Sequence, residues 1–80
     1  MEKLKKGESA VLENGKKYLC FAQIDDGRLS YVYLMSQFKP IEVVFAKQFV
    51  NNDDLVLEIV DDKKEKEKLL NLLQEQENNN

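Results

Sequence analysis

The sequence predicts an α+β, mainly β fold: an antiparallel meander of about five strands, curled or barrel-like, with one C-terminal α-helix packed on the sheet. Three observations lead there. From Glu8 to Val60 apolar and polar residues alternate with period two, interrupted at short intervals by turn signals. After Val60 the chain changes to helix formers, with no β-branched residue, Gly or Pro. At 80 residues there is room for one small domain and no more.

Residues 1–7 are polar, end in Gly7 and read as a flexible lead-in to a β domain over residues 8–60. ESAVLE is a short first strand, and Asn14-Gly15 is a two-residue hairpin signal because both types accept positive φ. Lys16–Ile24 is the second strand, turned by Asp26-Gly27 into Leu29–Ser36. QFKP breaks the pattern, since Pro40 has no ladder donor. Ile41–Val50 and Leu55–Val60 follow, and a turn at Asn52-Asp53 sets Lys47 opposite Glu58 as an ion pair, Phe49 opposite Val56 and Val50 opposite Leu55. A helix is expected over 61–76 as part of the same domain, capped by Asp62 with Glu65 completing a capping box, and residues 77–80 as a frayed tail. Leu69, Leu70, Leu72 and Leu73 form its apolar face, too short to stand alone in water.

An Asp26-Gly27 turn sets Tyr18 opposite Met35, Cys20 opposite Tyr33, Ala22 opposite Tyr31 and Ile24 opposite Leu29 on one face. Leu12, Leu19, Phe21, Val32 and Leu34 then share the other, which suits a dry interior. Tyrosine has an apolar body and a hydroxyl that wants water or a partner. The helix leucines are expected to cover part of the tyrosine face and leave the rest as a contact surface. Its candidate residues are Tyr18, Tyr31, Tyr33 and Met35, with Leu70 and Leu73 from the helix.

Composition excludes several chemistries. There is no histidine, the commonest general base and zinc ligand, and one cysteine cannot build a thiol dyad or a structural zinc site. The doublets Asp25-Asp26, Asp53-Asp54 and Asp61-Asp62 fall at turns or a helix start, without calcium-loop spacing. No enzyme, cofactor or metal is expected. A lone cysteine fits the reducing cytoplasm. No apolar stretch follows the lysines of MEKLKKGESA, so no secretory signal is expected, and no run approaches a membrane span.

The function expected is therefore a non-catalytic protein-binding or regulatory module, with another protein or a second copy as partner and a homodimer as one form. The alternative is a single-stranded nucleic-acid-binding β domain, with Lys16, Lys17 and Arg28 beside the tyrosines. The net charge of −3 weighs against a phosphate backbone as partner. Eleven lysines to one arginine, with seven asparagines, is the bias of an AT-rich coding sequence and suggests a bacterium or its phage.

The block LENGKKYLCFAQI, with YVYLMS and PIEVVFAKQ after it, resembles small uncharacterised proteins of Gram-positive bacteria and their mobile elements. Those also place β-hairpins before an acidic, helical tail. The resemblance covers most of residues 8–75; it implies the same architecture and no activity, cofactor or site residue.

Overall fold

The computed structural model describes residues 3–78. Strands β1 (Ser9–Val11), β2 (Lys17–Asp26), β3 (Leu29–Ser36), β4 (Val43–Asn51) and β5 (Asp54–Ile59) form one antiparallel sheet in sequence order, and α1 (Lys63–Asn78) follows. The sheet curls into a half-barrel with α1 packed on it, so the expected meander with one helix is the architecture found. Among the described residues no helix is long and apolar enough to cross a membrane.

The β4–β5 hairpin has the expected register, with Asn51 opposite Asp54, Phe49 opposite Val56 and Lys47 opposite Glu58. Asn52 (φ 52°) and Asp53 (φ 68°) both take the left-handed conformation that a type I′ turn requires. The Lys47 ammonium lies 6.0 Å from the Phe49 ring centroid, and the expected Lys47–Glu58 ion pair is not among the contacts of the described residues.

The first two hairpins differ from expectation by a residue each. The first loop holds three residues, Glu13 to Gly15: Leu12 N–H donates to Lys16 O at 3.0 Å, Gly15 N–H to Leu12 O at 2.9 Å, and Gly15 takes φ +80°. A type I turn with glycine in the left-handed position needs that extra residue. In the second, Asp26 pairs with Leu29, so the loop is Gly27-Arg28 and glycine sits first, at φ +62°. Glycine in the first loop position marks a type II′ turn, whereas the Asp26-Gly27 frame expected from the sequence puts it second.

A β-bulge then compensates halfway along β2. Cys20 is opposite Leu34 but Ala22 is opposite Tyr33, which leaves Phe21 as the extra residue. Side-chain parity reverses there. Tyr18 and Cys20 face the same side as Val32 and Leu34, while Ala22 and Ile24 face the side of Tyr31 and Tyr33. The single tyrosine face expected from sequence therefore does not form.

Two cores result. On one face Leu12, Tyr18, Cys20, Val32, Leu34 and Ala46 pack together, with Ala10, Leu55 and Leu57 against them. Residues of both edge strands meet in this cluster, so this is the concave side. Leu4, expected in the flexible lead-in, belongs to it and is 7% exposed. Buried Gln48 holds it there: Oε1 accepts from Leu4 N–H at 2.7 Å, and Nε2 donates to Leu4 O at 3.2 Å and Ser30 Oγ at 3.1 Å.

The second core lies under α1, where Leu69 and Leu73 close over Ile24, Tyr31, Phe45 and Val60. Asp62 caps the helix as expected, its Oδ2 accepting from Glu65 N–H at 3.0 Å. The Glu65 carboxylate accepts from the Tyr31 hydroxyl at 2.9 Å, where a capping box would have turned it back to Asp62. Residues 77 and 78, expected in the frayed tail, continue the helix; 79 and 80 lie outside the described residues.

Candidate interaction surface

The six candidate residues separate by burial. Tyr18 is 1% exposed in the concave core, where its oxygen accepts from Asn14 Nδ2 at 3.2 Å. Tyr31 is 2% exposed beneath the helix, and Leu73 is buried beside it. None of these three reaches a partner without unfolding. Tyr33 and Met35 are half-buried, and Leu70 is 45% exposed. Of the six, Tyr33, Met35 and Leu70 are the ones that keep exposed area.

Tyr33 and Leu70 line a groove. The helix starts after Val60 and its leucines settle over Ile24 and Tyr31, so the sheet beyond Tyr33 is left uncovered. The Tyr33 and Phe45 rings, opposite each other on β3 and β4, tilt by 37° with centroids 4.8 Å apart. They floor a hollow of about 300 Å³ walled by Val43 and Ile59 on the sheet and Leu70 on the helix. Val43 is 49% and Ile59 40% exposed, so this wall is apolar and wet. Met35 adjoins it as the cross-strand partner of Val43. Asp61 and Lys66 supply one charge of each sign to the lining.

Sequence reasoning missed Val43, Phe45 and Ile59. Apolar residues occupy both faces of VVFA, so period two cannot say which side Phe45 takes. That side is fixed by the β3–β4 register, in which Tyr33 is opposite Phe45, and the two strands are joined by a loop over residues 37–42. Ser36 closes that loop, its N–H donating to Glu42 O and its Oγ accepting from Glu42 N–H, each at 2.8 Å.

On the opposite flank of α1 a second cleft is polar and already satisfied. Lys68 Nζ contacts Asp26 Oδ2 at 2.7 Å, and Tyr31 holds Glu65. Burial first, and then the Glu65 carboxylate, push the Tyr31 hydroxyl up to about 12, so it stays protonated as a donor at neutral pH. Burial likewise pushes the Cys20 thiol up, and its Sγ lies 3.4 Å from Ala22 O. Neither group is an activated nucleophile. Among the described residues no three acidic or cysteine side chains converge on a position for a metal.

No protein-family model, curated protein or solved structure matches the chain.

Proposed function

We propose that the chain is a small, non-catalytic, cytoplasmic interaction module that binds another protein through the groove between α1 and the sheet. The observation that carries this is the exposed apolar wall of Val43, Ile59 and Leu70 over the Tyr33–Phe45 floor. Isolated exposed apolar residues are ordinary, but three around one hollow with an aromatic floor have the composition of an interface core. The occupant that fits is a bulky aliphatic or aromatic side chain on a partner segment of no strong charge, because the lining charges, Asp61 and Lys66, cancel.

Nucleic acid fits less well. A base-stacking platform needs several exposed rings along a basic groove. Tyr18 and Tyr31 are interior, and Lys16 is engaged by Glu42 at 3.3 Å.

The test is retention of cellular proteins by the tagged chain and by Leu70→Glu, each with and without nuclease. A partner held by the parent chain after nuclease and released by Leu70→Glu supports the reading. A partner that Leu70→Glu still holds, or that nuclease removes, overturns it. A particle mass of two chains that falls to one in Leu70→Glu would make the partner a second copy.

A further inference from the structure

A different surface carries the further inference. An open five-stranded meander has two outer edges, and in this chain they face each other. Leu12 of the first hairpin and Leu57 of β5 line one hollow of about 360 Å³ together, and an adjoining one of about 240 Å³. The curl has brought β1 and β5 to the two sides of a gap floored by concave-core leucines.

The ladder shows which backbone groups point into the gap. The two-residue turn makes Asn51 and Asp54 a hydrogen-bonded pair, so bonding alternates from there along β5. The bond from Val60 N–H to Phe45 O at 2.8 Å agrees with that phase. The N–H and C=O groups of Leu57 and Ile59 therefore point away from β4. On β1, the bonds from Leu12 N–H to Lys16 O and Cys20 N–H to Glu8 O leave Ser9 and Val11 pointing away from β2. Among the described residues no strand pairs with either edge. As the first and fifth strands of a meander, β1 and β5 run in the same direction, so one inserted strand would be antiparallel to both.

Charge identifies the occupant. The charged residues lining the two hollows are Glu13, Glu58 and Asp61, without a base. Residues 53–62 hold five acids and no lysine or arginine. We propose that the gap between β1 and β5 is a strand-acceptor site, which binds an extended, lysine- or arginine-bearing segment of a partner protein and closes the half-barrel to six strands. Alternate aliphatic side chains of the segment cover Leu12 and Leu57, and the cations between them meet the acidic rim. Backbone pairing supplies affinity and the alternation supplies selectivity.

The probe is a labelled peptide of about nine residues alternating lysine and valine, a length that suits a single strand. A companion of equal charge carries N-methyl groups on alternate amides. The expected result is saturable one-to-one binding, at least about tenfold weaker for the methylated peptide. Amide exchange at Val11, Leu57 and Ile59 should slow at least about tenfold on binding. Ile59→Pro, which removes one gap-facing N–H from an edge strand without breaking the β4 ladder, should weaken binding similarly. Leu70→Glu should bind as the parent does, which separates this site from the groove. No binding, equal binding of the methylated peptide, or protection confined to other amides would each overturn the proposal.

Discussion

The Tyr31 hydroxyl donates a 2.9 Å hydrogen bond to Glu65 Oε2, tying the middle of the sheet to the first turn of the helix. Tyr31→Phe keeps the packing and deletes the bond, so it should cost about 1 kcal/mol at neutral pH. The cost should also depend on pH. Folding raises this hydroxyl from its ordinary 10.0 to about 12. The stability it contributes is complete below pH 10 and is lost as pH rises toward 12. Urea midpoints of parent and Tyr31→Phe should converge across that window; a constant difference would refute the linkage.

Adjacent leucines on α1 should behave in opposite ways. Leu69 has no exposed surface, so Leu69→Ala should lose about 2–5 kcal/mol, a large share of what a small domain possesses. Leu70 is 45% exposed, and Leu70→Ala should stay within about 0.5 kcal/mol. Chemical denaturation followed by circular dichroism reads both. Comparable losses would mean that the helix sits on the sheet in another rotation.

Gln48 is the anchor of the N-terminal segment. Gln48→Leu keeps the volume but strands the Leu4 N–H and C=O and the Ser30 hydroxyl inside the curl. A loss of about 1–3 kcal/mol follows from leaving such groups unpaired. Limited trypsin digestion should then cut at Lys5 and Lys6 faster than in the parent. Unchanged cleavage would show that the segment is held by something other than Gln48.

Cys20 has no exposed surface, and burial raises its thiol pKa. Its reaction with a thiol reagent should be slow in buffer and should accelerate through the urea transition in step with unfolding. Rapid labelling of the native chain would place Cys20 at the surface and displace the Tyr18–Cys20–Leu34 packing.

What was legible in the sequence follows from which physical signals are local. Asn52-Asp53 is a turn whose two residues both tolerate positive φ, and the β4–β5 register followed from it directly. Asp62 was legible as a cap because an Asp just before a run of helix formers has a carboxylate that can accept from the N–H three residues on. Asp26-Gly27 misled because the pair can occupy two frames around one turn, and only tertiary packing chooses. Phe21 carried no mark of a bulge, being neither glycine nor proline, so Tyr18 and Cys20 were assigned to the wrong face. Leu4 was hidden by the lysines around it. Of the groove lining, Tyr33 and Leu70 are named from the sequence, while Val43, Phe45 and Ile59 required a register that no local pattern encodes.

The bulge at Phe21 makes β2 a strand in which counting matters more than chemistry. Removing Phe21 would close the ladder into unbroken alternation, with Cys20 still opposite Leu34 and Ala22 still opposite Tyr33, whereas removing a residue on either side of it would shift the pairing and turn part of β2 to the wrong face. Single-codon deletions between Lys17 and Ile24 should therefore be tolerated best at Phe21 itself, whose side chain is 42% exposed, and poorly at its neighbours. Elsewhere in β2 the gene is constrained in the number of its codons, and at Phe21 it carries a codon to spare.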